Sequence, residues 1–344
     1  MSTRWQMNSS KSCPLKDLHL SHEGLMKTEQ REKLLKMWAG GILLNYPLGR
    51  RTTLGVGGSV EALYEADDRG ELQKLLTFLQ REKIPYLVVG RGSNLVVRDE
   101  GVEGVAIKLK GPLATIELED EEEKILRVGA GASLSQLLEF CRPRGLGGFE
   151  FLAGIPGSLG GAVVMNAGAF GQEISQRVIR LGVLIPESHV SGRRMYYREL
   201  SREKVNFHYR GIELKSGSVV VDVWLMAQWR PPHEISKLIK SYLEKRRKRQ
   251  PLEYPSAGSI FKNPAGHFAG ELIEAAGLKG RSEGRALISE KHANFILNMG
   301  GATAAEVLSL IELARLEVKK RFGVELECEV KVVGRGQGPC GGEK

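Results

Sequence analysis

Residues 154–171 read Gly154-Ile-Pro-Gly-Ser-Leu-Gly-Gly-Ala-Val-Val-Met-Asn-Ala-Gly-Ala-Phe-Gly171, and six of these eighteen residues are glycine. Glycine averages about 7% of a chain, so this density is a local signal even in a protein with 42 glycines. The side chains between them are mostly small, and the segment has little with which to build a core of its own. What it offers is backbone: N–H groups free to face a ligand, and no Cβ to hold that ligand off. Two readings fit. One is a loop pressed against a large anionic cofactor; the other is a tight, glycine-punctuated surface turn.

A second glycine turn, Gly90-Arg-Gly-Ser-Asn-Leu95, stands 64 residues upstream (154 − 90). It follows the apolar run Tyr86–Val89, which reads as a buried strand. Before that strand come Pro85 and a helix marked by Leu72, Leu75, Leu76 and Leu79, with Glu71 following Gly70 at its start. A strand at Val105–Leu109 closes this unit. After the Gly111-Pro112 break, a second unit holds the acidic run Glu119–Glu123 (a hairpin tip), a strand at Leu126–Gly129 and a helix from Ser133 to about Cys141. Strands around Val178–Ile185 and Val219–Trp229 follow the glycine segment. A glycine turn in each of two adjacent units suits a cofactor lying between them with both loops against its pyrophosphate. Ser93, Asn94 and Ser158 would add side-chain hydrogen bonds to such an anion site. Flavin adenine dinucleotide has the right length and charge.

Pro231-Pro232 marks a further boundary. Beyond it come a basic helix at about Glu234–Arg249, a loop from Pro251 to Gly266 and a short helix at Ala269–Ala276. A long helix is entered through Thr303-Ala-Ala-Glu306, a capping-box spacing, and left at Gly323. A final strand alternates polar and apolar residues from Val324 to Val333. It places Glu329 on one side with Glu327 and Lys331, an arrangement that reads as a solvated strand face. Residues 1–40 are polar without a clear period, so a poorly ordered extension with one helix near Glu29–Trp38 is expected. The expected architecture is α+β: units at 41–110, 111–230 and 231–324, a closing strand at 325–335 and a flexible tail at 336–344.

At 344 residues the chain exceeds what one core usually serves, in keeping with several units. Its net charge of +9 favours acidic partners, and much of the excess lies between Lys237 and Arg249, where seven basic residues face the single Glu244. A solvated helix face is the ordinary explanation of such a run. Cys13, Cys141, Cys328 and Cys340 lack C-x-x-C spacing, so neither a disulfide framework nor a zinc site is expected, and a reducing compartment fits. The seven histidines are dispersed, which argues against any metal centre. No apolar run reaches eighteen residues and the N-terminus has no apolar signal core, so a cytoplasmic protein is expected. The dinucleotide fingerprint is missing, since Gly129-Ala-Gly131 and Gly55-Val-Gly57 each lack the third glycine, and there is no Walker A loop. A nucleotide cofactor would therefore sit on a fold other than the doubly wound one. Pro255-Ser-Ala-Gly-Ser259-Ile-Phe-Lys-Asn-Pro264 packs a hydroxyl, an ammonium and an amide between stiffening prolines, or is an ordinary turn.

Taken in order, these stretches resemble the UDP-N-acetylenolpyruvoylglucosamine reductases over roughly residues 40 to 335. The resemblance rests on Thr52-Thr-Leu-Gly-Val-Gly-Gly58, Val89-Gly-Arg-Gly-Ser-Asn-Leu95, Glu150-Phe-Leu-Ala-Gly-Ile-Pro-Gly-Ser-Leu-Gly-Gly161, Met165-Asn-Ala-Gly168 and Tyr209-Arg210. It continues through Gly258-Ser-Ile-Phe-Lys-Asn-Pro264, Lys291-His-Ala-Asn-Phe295 and Leu326-Glu-Cys-Glu-Val330. Each motif alone is weak; eight in order are specific. The resemblance implies a two-part FAD-binding region of the vanillyl-alcohol-oxidase (PCMH) type and a C-terminal α/β substrate-binding domain. It implies bound FAD, NADPH as the hydride-donating co-substrate and a UDP-sugar enolpyruvyl ether as substrate. A monomer with no nucleic-acid or membrane partner is expected. The 49 residues from Arg210 to Ser259 (259 − 210) resemble the shorter subtype, which lacks an inserted capping loop.

Carried onto this sequence, the resemblance implies cofactor binding by Val89, Gly90, Arg91, Gly92, Ser93, Asn94 and Leu95, and by Gly154, Ile155, Pro156, Gly157, Ser158, Gly161 and Ala162. It implies catalysis by Arg210 (carboxylate clamp), Ser259 (proton donor) and Glu329, and substrate contact by Tyr209, Lys262, Asn263 and His292. A guanidinium suits a planar carboxylate. A serine hydroxyl is a weak acid that needs a stabilised alkoxide or a proton relay, so Lys262 or water is expected beside it. The chain departs from the family's common pattern at Arg51, Phe170, Ile212 and Arg285. Two other classes account for part of the sequence. A different FAD-dependent oxidoreductase on the same flavin domains explains the glycine loops but not Ser259, Lys262 and Glu329. A basic nucleotide-binding protein without catalysis explains Lys237–Arg249 but predicts no yellow colour.

Overall fold

A helix at Thr28–Met37 (α1) opens the described part of the chain, residues 26–38, 40–189 and 192–336 of a computed structural model, and buries Leu34. The leucine spacing folds as Arg69–Arg81 (α2). Asp68 caps it by accepting from the Glu71 N–H at 2.8 Å, and all four leucines are fully buried. These helices accompany a four-stranded sheet in the order 42–46, 60–66, 102–109, 86–88. Its first pair is antiparallel and the other two are parallel.

A second, antiparallel sheet runs in the order 192–201, 178–189, 219–226, 125–129, 116–120. The acidic run forms the turn between its last two strands, as a hairpin tip should. Strand 192–201 had no sequence signal because Arg194, Arg198 and Glu199 break the apolar alternation. Cross-strand ion pairs, Arg198–Glu187 and Arg180–Glu199 at 3.0 Å each, accompany the backbone ladder there. A helix at Leu134–Cys141 (α3) starts with Ser133 and Gln136 in a capping box. The glycine segment is only partly loop. Ser158 accepts from the Gly161 N–H at 3.3 Å and begins a short helix, Leu159–Val164 (α4). Glycine lets that helix sit tightly against the end of strand 125–129: a Cβ at Gly160 would stand 2.8 Å from that of Ala130.

The basic helix spans Pro232–Arg249 (α5), followed by Ala269–Ala275 (α6) and Ala304–Phe322 (α7). Thr303 and Glu306 form the expected capping box of α7, and Gly323 ends it. One apolar cluster runs from Leu34 through both sheets to Ala227 without a break at 110–111. A second joins α6 and α7 to the small sheet 282–283, 286–288, 296–298, and takes in Leu54, Val56 and Val96 from the first unit.

One expectation fails here. The final strand is Lys331–Val333, paired in parallel with Leu95–Val97, rather than 324–333; residues 327–329 pair with a different segment. Cys141 is a buried free thiol whose pKa burial pushes up to about 12.

Asp99, just past Leu95–Val97, caps a helix of the third unit. Its two carboxylate oxygens accept from the Ala304 and Ala305 N–H groups at 3.0 and 2.9 Å. Asp99→Ala should lower unfolding stability by about 1 kcal/mol, and Asp99→Asn by less, in urea titrations followed by circular dichroism.

Candidate active site

Residues from Tyr46 to Gly336 line an open cavity of about 3230 Å³. That is several times the size of an ordinary small-molecule pocket, about 300–1,000 Å³, and has room for two large ligands together. Residues 89–95 and 154–158, with Gly161 and Ala162, all line it. The two glycine turns meet there: a Cβ at Gly90 would fall 2.3 Å from Ser158 Oγ, so only glycine permits the approach. Among the described residues, the backbone N–H groups of residues 90–94, 154, 157 and 158 have no acceptor within the protein. A run of unpaired donors lining a cavity fits a diphosphate, which accepts such bonds and offsets their desolvation. The residues present therefore fit a bound FAD.

Arg210 occupies the second position of a two-residue turn joining strands 206–208 and 211–213, with φ +61°. A left-handed arginine is uncommon and costs about 1–3 kcal/mol, and such strain gathers at functional sites. The turn is held from behind by Asn166, which is 1% exposed. Its Nδ2 donates to His208 O at 3.0 Å and to Glu173 Oε2 at 2.8 Å, and its Oδ1 accepts from the Ser175 N–H. This gives the Met165-Asn-Ala-Gly168 motif a physical role: it aims Arg210.

Ser259 and Glu329 come together through a short irregular ladder. The Glu329 N–H donates to Ile260 O at 2.7 Å and the Lys262 N–H to Glu327 O at 2.9 Å, with Phe261 and Cys328 bridged between them. Buried Asn294 grips the other side, donating to Phe261 O at 2.8 Å and accepting from the Phe261 N–H at 2.9 Å. On its far edge, Glu329 O accepts from Asn94 Nδ2 at 3.0 Å, and the Lys331 N–H donates to Asn94 O at 2.9 Å. Asn94 thus spends its side-chain amide on the Glu329 backbone.

The Glu329 side chain turns inward, contrary to the solvated-face reading, and its Oε1 lies 2.8 Å from Arg210 Nε. Glu327 alone points outward, pairing with Lys262 Nζ at 2.6 Å. Burial raises the Glu329 carboxyl above the ordinary glutamate range, outweighing Arg210, Lys262 and Lys331, which pull it down.

Arg210, Ser259, Glu329, Asn263 and His292 all line the cavity; Tyr209 and Lys262 do not. Tyr209 is 46% exposed, stacked under the Arg210 guanidinium at 5.1 Å. Asn263 Oδ1 accepts from the Ala269 N–H at 3.0 Å. Burial lowers the pKa of His292, favouring the neutral imidazole.

Phe170 stacks on Tyr242 at 4.3 Å. Arg246, which sequence reading passed over within a basic run, is buried beneath them. It donates through Nε to Ala153 O at 2.8 Å and lies 5.4 Å from the Phe170 ring. Only its i, i+4 spacing from Tyr242 on one helix face hinted at this. Ile212 is buried beside the Arg210 turn, and the Arg285 N–H is taken by Glu306. Gly280-Arg-Ser-Glu-Gly284 has nucleophile-elbow spacing, but its Ser282 lies on an exposed two-residue strand, not at a strand-to-helix turn. Among the described residues no cluster of histidine, cysteine, aspartate or glutamate is arranged to hold a metal. No helix there is long and apolar enough to cross a membrane.

Comparison with known proteins gives concordant matches. A family profile described as "UDP-N-acetylenolpyruvoylglucosamine reductase, C-terminal domain" matches residues 250–333, and one described as "FAD binding domain" matches 60–191. The chain is 44% identical over 290 residues to UDP-N-acetylenolpyruvoylglucosamine reductase 2 of Symbiobacterium thermophilum, covering 84% of this chain and 91% of that one. It is 43% identical over 296 residues to the reductase of Caldanaerobacter subterraneus, covering 86% and 94%. The crystal structure of the Thermus caldophilus reductase superposes with a TM-score of 0.71 at 37% identity, over 85% of this chain and 98% of that one.

A glutamate in water titrates near about 4.3. With Glu329 raised in the folded state, its contribution to stability is greatest below that value and is lost as pH rises through the folded pKa. The melting temperature of the wild type, measured against Glu329→Gln, should therefore fall relative to the variant between acid and neutral pH. A gap that widens in favour of the wild type would show that Arg210 outweighs burial.

Proposed function

This chain belongs to the UDP-N-acetylenolpyruvoylglucosamine reductase family, and from that premise we propose how its own residues carry the family's reaction. It is an oxidoreductase of peptidoglycan precursor synthesis, reducing the enolpyruvyl ether of UDP-N-acetylglucosamine to UDP-N-acetylmuramate with NADPH. FAD, when bound, supplies the hydride, which it takes from NADPH. Residues 89–95 and 154–158, with Gly161 and Ala162, hold that cofactor, their unpaired N–H groups meeting its diphosphate. Arg210 receives the substrate carboxylate, and its guanidinium stabilises the negative charge that develops on the neighbouring carbon. Ser259 delivers a proton to that carbon, its alkoxide replenished through Lys262 or water. Glu329 holds the carboxylate or its enolic form in line. Asn263 and His292 contact the nucleotide sugar within the cavity, and Tyr209 and Lys262 act from its rim.

One observation carries this reading. Arg210, Ser259 and Glu329 lie 49 and 70 residues apart (259 − 210 and 329 − 259), yet they line the same cavity as the unpaired donors of both glycine turns. We take 41–110 and 111–230 as the cofactor pair and 231–324 as the substrate domain. The reading carries with it a monomeric, cytoplasmic enzyme.

The division of labour is tested by half-reactions. Ser259→Ala should leave flavin reduction by NADPH nearly unchanged in stopped-flow absorbance. It should slow reoxidation by the enolpyruvyl substrate about 10²- to 10⁴-fold, the usual worth of a general acid. Equal slowing of both half-reactions would sink the assignment.

A further inference from the structure

The Arg210 guanidinium already faces a carboxylate and a carbonyl of its own chain. Nε pairs with Glu329 Oε1 at 2.8 Å, Nη1 donates to Gly168 O at 3.4 Å, and one face covers the Tyr209 ring. Both charged side chains are largely withdrawn from water, at 21% and 18% exposure. The other charged groups facing Glu329 are Lys262, from the Ser259 loop, and Lys331, two residues further along the chain. Lys262 is shared with Glu327, and the cofactor loop contributes the uncharged Asn94. Arg210 and Lys262 are thus each already paired with a carboxylate of the chain.

A substrate carboxylate arriving at Arg210 adds that anion. Two carboxylates against one partly buried guanidinium repel strongly, and such pairs titrate together, sharing a proton. We propose that substrate binding displaces Glu329 from Arg210 and takes up one proton from solvent, which Glu329 then shares with the substrate carboxylate. The step makes only an O–H bond: solvent gives a proton, the carboxyl gains it, and the complex carries one unit more positive charge than its separated parts. Burial already favours the neutral carboxyl, and losing the Arg210 contact removes the largest influence opposing it. A neutral Glu329 is a hydrogen-bond donor to the carboxylate on which charge builds, whereas an ionised one would oppose that charge. The inference rests on Arg210 being the carboxylate anchor.

The test is titration calorimetry of the oxidised, FAD-loaded enzyme without NADPH, in two neutral buffers of different ionisation enthalpy. The enolpyruvyl substrate is compared with UDP-N-acetylglucosamine, which has the diphosphate but no enolpyruvyl carboxylate, so any proton taken up by His292 appears with both. The expected result is close to one proton more for the substrate than for UDP-N-acetylglucosamine, and no excess in Glu329→Gln. Equal uptake for the two ligands in the wild type overturns the proposal, and that comparison needs no variant to fold. An excess that persists in Glu329→Gln overturns it too. If UDP-N-acetylglucosamine binds and the enolpyruvyl substrate does not, the functional reading falls and the proposal with it, a result distinct from binding without excess.

Discussion

The site depends on one short stretch of backbone, residues 327–331, being hydrogen-bonded along both edges at once. One edge takes the Ile260–Lys262 segment and the other takes Asn94. The segments that carry Ser259, Asn94 and Glu329 are therefore tied together by hydrogen bonds. Backbone pairing of this kind is directional and short, so a shift in one loop reaches the others without a long lever. Asn294, closing on both sides of Phe261, and Asp99, capping α7 from the cofactor side, brace the same junction from opposite directions. The second hydrophobic cluster supports this arrangement by drawing Leu54, Val56 and Val96 into the core of the third unit.

Much of this was legible in the sequence because local rules decide it. The leucine period of α2, the capping box of α7 and the acidic hairpin tip are all written within a few residues of themselves. The glycine turns were legible as a pair, since both follow from the need for backbone without side chains. What stayed hidden were partnerships made at long range. Strand 192–201 looks charged and loop-like until its ion pairs with the neighbouring strand are seen. The segment 324–333 alternates as a strand should, but alternation does not reveal that residues 327–329 pair on one side and 331–333 on another. Glu329 and Glu327 therefore read as neighbours on one face, when one is buried against Arg210 and the other sits outside on Lys262.

The proposed catalytic residues divide in the same way. Serine in Gly258-Ser-Ile-Phe and arginine after Tyr209 were legible only through the family resemblance, since neither residue type announces its chemistry. The structure adds what no motif states: Asn166 orients the turn that carries Arg210, and Asn94 spends its side chain on the Glu329 backbone. Arg246 was hidden for the opposite reason, lost among basic neighbours although it is buried while they face water.

The left-handed backbone at Arg210 has a further consequence for how this protein can change over time. A side chain on an ordinary strand can be re-aimed by rotamer choice, but here the direction is fixed by a turn only two residues long. One residue more or less in that hairpin would swing the guanidinium away from Glu329. The length of the 206–213 hairpin is therefore closed to insertion, while the surface loops around it are free to drift. Within this fold, tolerance to length variation should map the chemistry as sharply as residue identity does.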